Sequence, residues 1–209
     1  YFDNLLPDSI AVRMRLGHRF KLKDIGTFDL LEAIGRDCVG AVQLLPEGAE
    51  PQGWNAMNCE PLGDNEVAEL LRTVPSDDTP ESMRDEDLFR ISLAGAQEKT
   101  ALTRWKGAWC RPHGATPTTH IIKLPLGLIG GSRRVDASDS VQNEWICAQI
   151  VEALGLPVAP TSIATFEGQA VLVVERFDRE WMDGGTWIAR LPQEDFCQAM
   201  GLPSSRKYE

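Results

Sequence analysis

Several patterns that would assign a function directly are missing from this sequence. Its five cysteines are widely spaced, with no C-x-x-C pair and no Cys/His spacing typical of a metal site. No run of about 18 apolar residues occurs, so no membrane span is predicted. The formal net charge of -10 disfavours direct, sequence-independent binding to nucleic acid, although Arg133-Arg134 is a local basic doublet.

The termini lack features too. The chain opens on Tyr1 without an initiator Met and without a basic-then-apolar signal. No stop feature such as a cap or polar tail follows Arg206, and we expect truncation at both ends. An odd, unpatterned set of cysteines favours a reducing compartment, which predicts a cytoplasmic protein.

What is present is the composition of a globular protein, 43% hydrophobic and 25% charged. Local signals divide the 209 residues into a first unit at 1–75, an acidic linker at 76–88 and a second unit at 89–209. In the first unit we predict, in order, a helix from Asp8 or Ser9 to Phe20, a helix from Thr27 to Gly35, a strand from Gly40 to Leu45, a loop over 46–63 and a helix from Glu66 to Arg72 capped by Asp64 or Asn65.

The second unit alternates short apolar runs with turns, which predicts an antiparallel sheet and one long helix. The predicted strands are Phe89 to Leu93, Lys99 to Trp105, Ala108 to Cys110, Thr119 to Leu124, Thr161 to Phe166, Ala170 to Glu175 and Trp187 to Leu191. The long helix is predicted from Ser140 to Leu154, a loop over 125–138, and a short helix from Gln193 to Met200. The fold class is therefore α+β.

A tight loop of small residues is the first candidate for a binding site. Within the segment 92–100, the residues Ala94, Gly95, Ala96, Gln97 and Glu98 lie between two predicted strands, the first of which ends at Leu93. Small residues let backbone amides approach an anion closely. The alternative is an ordinary hairpin loop, since a single glycine is a weak signal.

Two charged residues in apolar surroundings form the second candidate. Lys123 lies inside an apolar strand, where its ammonium must reach solvent or find an anion. On a helical wheel, Glu144 falls in the middle of the apolar arc of the long helix, so its carboxylate needs a partner. Lys123 is the obvious cation; the alternative places Glu144 at the rim, bonded to a backbone amide.

The end of the last long strand is the third candidate. Glu175 and Phe177 follow an apolar run, and a strand end of this kind can offer backbone groups to a purine edge. An ordinary strand end is the alternative. The order of the pieces is informative: small-residue loop, Lys on a strand, Glu on the next helix, two strands and an exit segment is the order of a protein-kinase N-lobe.

The letters match a more specific family. Six segments keep their order along the chain: FDNLLPDS (2–9), IGRDCVGA (34–41), ISLAGAQEKT (91–100), PTTHIIK (117–123), VERFD (174–178) and LPQED (191–195). They resemble HipA, the kinase toxin of bacterial type II toxin–antitoxin pairs. The resemblance implies a distant protein-kinase-like fold, here mostly the N-lobe and the start of the C-lobe, preceded by part of an N-terminal subdomain.

The resemblance also implies an activity and partners. HipA proteins are ATP- and Mg²⁺-dependent serine/threonine kinases that phosphorylate a glutamyl-tRNA synthetase, which arrests translation and favours persistence. A helix-turn-helix antitoxin, HipB, restrains them. No direct contact with nucleic acid or membrane is expected of this chain.

Roles for individual residues follow from the same resemblance. Lys123 would contact the ATP phosphates and Glu144 would orient it. The loop from Leu93 to Gln97 would fold over the phosphates, and Glu175 and Phe177 would lie at the adenine edge. Ser92 is similar to the family's autophosphorylated serine; the alternative is a strand hydroxyl bonded to backbone.

One departure limits the activity expected. The family's catalytic Asp, its neighbouring Asn and the Mg²⁺-binding Asp lie downstream of this chain, which holds no catalytic residue. We therefore expect no phosphoryl transfer by the chain alone. The alternative function is an inactive binding module that engages an antitoxin or a full-length kinase; a poorly folding remnant is a weaker third hypothesis.

Overall fold

The computed structural model describes residues 1–76, 92–95, 97–129 and 135–207 of the chain. The helices in these ranges are α1 (Ile10–Arg19), α2 (Thr27–Ile34), α3 (Asp64–Thr73), α4 (Ser140–Ala153) and α5 (Phe196–Met200). Short 3-10 turns occupy Phe2–Leu5 and Ser204–Arg206. Within the described part of the chain, no helix has the length and apolarity that a membrane crossing requires.

Antiparallel strands make up the rest of the regular structure. They are β1 (Cys59–Leu62), β2 (Lys99–Trp105), β3 (Ala108–Pro112), β4 (His120–Lys123), β5 (Gly127–Ile129), β6 (Val135–Ala137), β7 (Thr161–Phe166), β8 (Gln169–Glu175), β9 (Arg179–Met182) and β10 (Trp187–Arg190). Six of them form one sheet in the order β1-β3-β2-β4-β8-β7, while β5–β6 and β9–β10 are separate hairpins. The predicted α+β class is confirmed.

Capping chemistry explains where the helices begin. The Ser9 hydroxyl accepts the amide of Val12 at 3.4 Å, as a helix N-cap does. In α3 the cap is Gly63, one residue before the predicted Asp64, and the Glu66 carboxylate accepts the Gly63 amide at 2.7 Å. Helix α5 begins later than the predicted Gln193 because Asp195 is its cap and accepts the amide of Gln198 at 2.7 Å.

The strand predicted from Gly40 to Leu45 is wrong. Residues 40–41 form a turn and 42–45 have no regular secondary structure, so the segment lies outside every ladder of the structure that is described. Val42 and Leu44 are half-buried against the N-terminal core, so their apolar character reflects packing. Gly40 also adopts a φ of +75°, which is unfavourable in a regular strand.

Four strands were not predicted. β1 lies inside the predicted loop 46–63. It was not predicted because Pro61 argues against a central strand, but β1 is an edge strand, where a proline is tolerated. The predicted loop 125–138 contains β5 and β6, and β9 pairs with β10. Of the predicted strand Phe89 to Leu93, Ser92 and Leu93 are not in a strand; 89–91, most of the linker (77–88) and Arg133-Arg134 lie outside the described residues.

Two apolar cores support these elements. One packs α3 against the sheet through Val67, Leu71, Leu102, Ile122, Val171 and Val173. The other packs α2 against the N-terminal turn through Leu5, Leu6, Leu30, Leu31, Ile34 and Cys38. The burial of the second core raises the pKa of Cys38 to about 12, so its thiol is protonated at neutral pH.

Helix α4 lies against β7 and β8. The apolar arc predicted for it is only partly the packed face: Ala148 and Val151 in this arc are half-buried. Val141 is buried, whereas Leu154 is 71% exposed and Cys147 is also exposed. Apolar residues occur on most sides of α4, so the helical wheel alone does not define the packed face.

Replacement of Leu102 by Ala tests the core that carries the sheet. Leu102 is fully buried, and the lost contacts and the cavity should lower the free energy of unfolding by about 2–5 kcal/mol. Leu128→Ala is the matched control, since Leu128 is 64% exposed. Urea unfolding of the two variants measures the difference. Equal unfolding midpoints would show that α3 and the sheet do not pack as described.

Candidate functional site

Strand β4 carries Lys123 to the face of the sheet covered by α4. Lys123 Nζ donates to Glu144 Oε1, so the ion pair predicted from the sequence is present. Both side chains are partly exposed, which leaves the ammonium accessible to a further anion. A lysine held in this way keeps its charge directed at one place instead of sampling solvent.

A second lysine lies beside the first. In the β2–β4 register Lys99 is opposite Lys123, so the two side chains leave the sheet on the same face. Lys99 Nζ donates to the Gln97 carbonyl at 3.2 Å. Burial and the neighbouring charge of Lys123 lower the pKa of Lys99 to about 8. Lys99 was not predicted from the sequence, because only the strand register shows that it faces the same way as Lys123.

The loop before β2 closes over these lysines. Gly95 has a φ of +109°, and a Cβ at this position would lie 2.9 Å from Lys99 Nζ. Any side chain here would therefore displace the ammonium as well as strain the backbone. Gln97 Nε2 donates to the Leu124 carbonyl at 2.7 Å, which ties the loop to the end of β4. Leu93 is buried and Ala94 half-buried, while the predicted Ala96 lies outside the described residues.

The N-terminal segment holds the same loop from behind. Pro7 and Gly95 form a parallel bridge, and the Asp8 amide donates to the Gly95 carbonyl at 3.2 Å. Ser92 is fully buried, and its Oγ donates to the Leu5 carbonyl at 2.6 Å. This is the backbone-bonded hydroxyl that the alternative for Ser92 described. Any phosphorylation of Ser92 therefore requires the loop to leave the N-terminal segment first.

The end of β8 presents backbone rather than side chains. The Glu175 amide donates to the Pro160 carbonyl at 2.9 Å. Proline has no backbone N–H, so Pro160 cannot donate a hydrogen bond to the Glu175 carbonyl in return. That carbonyl can accept from another donor. Glu175 is exposed and Phe177 is 68% exposed. The side chain of Glu175 leaves the opposite face of the sheet from Lys123, so only its backbone can share a ligand with Lys123.

An apolar floor connects these parts. His120 is opposite Glu175, and Lys123 lies three residues further along β4, about 10 Å away at the usual rise of a strand. Between them, Ile121 and Val174 pair on the face that carries Lys123, and both are only half-buried. The Ile121–Val174 floor was not predicted from the sequence either. The site thus offers a flat apolar surface with backbone groups at one end and two ammonium groups at the other.

No set of three or more His, Cys, Asp or Glu in the described ranges is arranged to hold a metal ion. The prediction that Mg²⁺ ligands lie downstream stays a prediction.

The lowered pKa of Lys99 predicts a pH dependence of stability. An unfolded lysine titrates near 10.5 and the folded one near 8, so between these values the unfolded chain binds more protons. The contribution of Lys99 to the free energy of unfolding therefore rises with pH across this window. We expect the stability of the wild type relative to Lys99→Met to increase between about pH 7.5 and about pH 10 in urea unfolding. A difference that is constant with pH would contradict the burial of the ammonium.

Two protein-family models match this chain, one near its N-terminus and one over its C-terminal part. Residues 1–45 match the sequence model of the HipA N-terminal domain, and residues 91–209 match that of the HipA-like C-terminal domain. The predicted boundaries at 75 and 89 remain predictions.

Relatives of known name agree. Y4mE of Sinorhizobium fredii, named as a candidate kinase, is 34% identical over the whole chain, which covers 47% of that protein. The serine/threonine-protein kinase toxin HipA of Shewanella oneidensis is 31% identical over the whole chain, which covers 44% of it.

A solved structure matches as well. It is the complex of HipA, HipB and operator DNA from Shewanella oneidensis, with a TM-score of 0.72 and 30% identity. The match covers 100% of this chain and 45% of that one. The chain thus spans a little under half the length of the relatives it matches.

Proposed function

Because this chain belongs to the HipA family of kinases, we propose that it forms the ATP-binding part of a serine/threonine kinase toxin. The observation that carries the proposal is the Lys123–Glu144 ion pair on the face that also holds the small-residue loop. A kinase uses such a pair to hold the α- and β-phosphates in line with the group to be transferred.

The geometry supports one orientation of the nucleotide. The triphosphate lies at Lys123 and Lys99, under the loop from Leu93 to Gln97. The purine rests on Ile121 and Val174, with its edge at the backbone of Glu175 and Phe177. The Glu175 carbonyl, to which Pro160 cannot donate, would accept a hydrogen bond from the exocyclic amine of adenine, which favours ATP over GTP.

The chain's own groups would bind and orient the phosphates of ATP, but they would not catalyse the phosphoryl transfer. Lys123 and Lys99 offset the phosphate charge, and the glycine loop excludes water from one side. When bound, Mg²⁺ would neutralise further phosphate charge; its ligands are expected downstream. Ser92 is proposed as the autophosphorylation site, and the modification would add charge and bulk where the Leu5 carbonyl now accepts a hydrogen bond.

Partners and substrate follow from the family. The solved neighbour is a complex of HipA with HipB and operator DNA, which supports a HipB-like antitoxin as the partner of this protein. With a net charge of -10, the chain would reach DNA only through that antitoxin. We propose a glutamyl-tRNA synthetase as the substrate, phosphorylated in the cytoplasm, with translation arrest and persistence as the outcome.

Titration of Mg-ATP into the chain tests the nucleotide site. Lys123→Ala should weaken binding on the order of tenfold to a hundredfold, because it removes a charge-assisted contact to phosphate and leaves Glu144 facing the ligand. Lys106→Ala is the matched control: Lys106 is exposed at the far end of β2, where it stacks on Trp105. Calorimetry measures both. Equal affinities for the two variants would exclude Lys123 from the site.

We further propose that the 209-residue chain binds ATP but transfers no phosphate. The family's general base and metal ligands lie downstream of the part it matches, and positioning of the γ-phosphate depends on them. Incubation with radiolabelled ATP should label neither the chain nor a serine peptide, whereas a full-length HipA kinase labels itself. Label that appears with the purified chain and disappears in Lys123→Ala would overturn this.

A further inference from the structure

The segment that carries the purine-binding backbone is fixed by its alternate residues. Glu175 and Phe177 are exposed, whereas Arg176 and Asp178 between and after them are each 4% exposed. The conformation of the exposed backbone is therefore set by what the two buried side chains contact.

Arg176 uses its whole guanidinium group in these contacts. Its Nε donates to Asp178 Oδ1 at 3.0 Å and one terminal nitrogen to Asp178 Oδ2 at 2.7 Å, a two-point contact within the segment. The remaining bonds leave the segment. They run to Thr118 Oγ1 at 2.9 Å, to the Cys38 carbonyl at 2.9 Å and to Asp37 Oδ2 at 3.3 Å.

Asp37 is the common partner of this cluster. Its carboxylate also accepts from Arg179 at 2.9 Å and from Arg190 Nε at 3.4 Å. It accepts both the amide of Thr118, at 3.0 Å, and the hydroxyl of Thr118, at 2.6 Å. Burial raises the pKa of Asp37, but the three guanidinium groups outweigh burial and lower it to about 2. Asp37 is thus charged at every physiological pH.

Asp37 offsets much of the positive charge in this cluster: the net charge is +1 with Asp37 and +2 without it. Arg176, Arg179 and Arg190 carry three positive charges, and Asp37 and Asp178 carry two negative ones. Without Asp37, three buried guanidinium groups would face a single carboxylate. Removal of one partner from a buried network leaves charge uncompensated, so the arginines would be driven apart.

We infer that Asp37, which lies in the part matching the HipA N-terminal domain, is a positioning residue for purine recognition at Glu175–Phe177. The inference rests on the proposed nucleotide site and adds to it a residue from the N-terminal part of the chain. Asp37 does not touch the nucleotide. It acts through Arg176, whose backbone lies between the two residues that meet the purine edge.

The position of Asp37 predicts a selective effect. The cluster contacts the strand end at Arg176, whereas Lys123 is anchored separately by Glu144. Asp37→Asn should therefore make the backbone at Glu175–Phe177, where the purine would bind, less well positioned. It should leave phosphate binding at Lys123 unchanged. A loss of general stability would weaken both ends together.

The experiment compares two ligands, Mg-ATP and magnesium tripolyphosphate, by calorimetry on the 209-residue chain. Asp37→Asn should weaken Mg-ATP about tenfold and tripolyphosphate less than about twofold. Thr118→Val is a milder second variant, which removes the hydroxyl shared by Asp37 and Arg176 while the amide bond remains. Leu71→Ala is the control for general destabilisation, because Leu71 lies on α3 in the core against the sheet and outside the Asp37 cluster.

The outcomes are distinct. Selective loss of ATP affinity in the folded Asp37 or Thr118 variants, absent in Leu71→Ala, supports the inference. Equal loss for both ligands, or no loss for either, overturns it while the nucleotide site stands. If the wild-type chain binds neither ligand, the proposed nucleotide site fails, and this inference fails with it.

Discussion

One buried carboxylate connects the three parts of the chain that meet at the candidate site. Asp37 follows α2 and pairs with three arginines: Arg176 directly after β8, Arg179 at the start of β9 and Arg190 at the end of β10. A charge removed from water in this way is tolerated only when it is paired and hydrogen-bonded, and here every part must be in place for that to hold. The positions of the end of β8, the β9–β10 hairpin and the segment after α2 therefore depend on one another.

The sheet converts this constraint into a site. β4 runs between β2 and β8, so Lys123 has Lys99 on one side and the apolar floor on the other. Helix α4 adds Glu144 from above, and the N-terminal segment holds the glycine loop through Gly95 and Ser92. A nucleotide would thus bind between elements that belong to both matched domains. Through these contacts the N-terminal part of the chain would influence the proposed ATP site directly.

Sequence signals predicted what depends on local chemistry. The Ser9 cap, the turns and the Lys123–Glu144 pair follow from neighbouring residues or from the cost of burying a charge. Lys99 and the Ile121–Val174 floor required the strand register. The Asp37 cluster required the tertiary contacts that bring residues distant in the sequence together. The missing strand at 40–45 has a similar cause: an apolar run shows that a segment is buried, but not whether a partner strand is available.

A structure of the chain bound to Mg²⁺ and a non-hydrolysable ATP analogue tests the central claim most directly. The account predicts the purine on Ile121 and Val174, its amine at the Glu175 carbonyl, and the phosphates within hydrogen-bond distance of Lys123 Nζ. Binding of the analogue elsewhere, or with its phosphates directed away from Lys123, would contradict it.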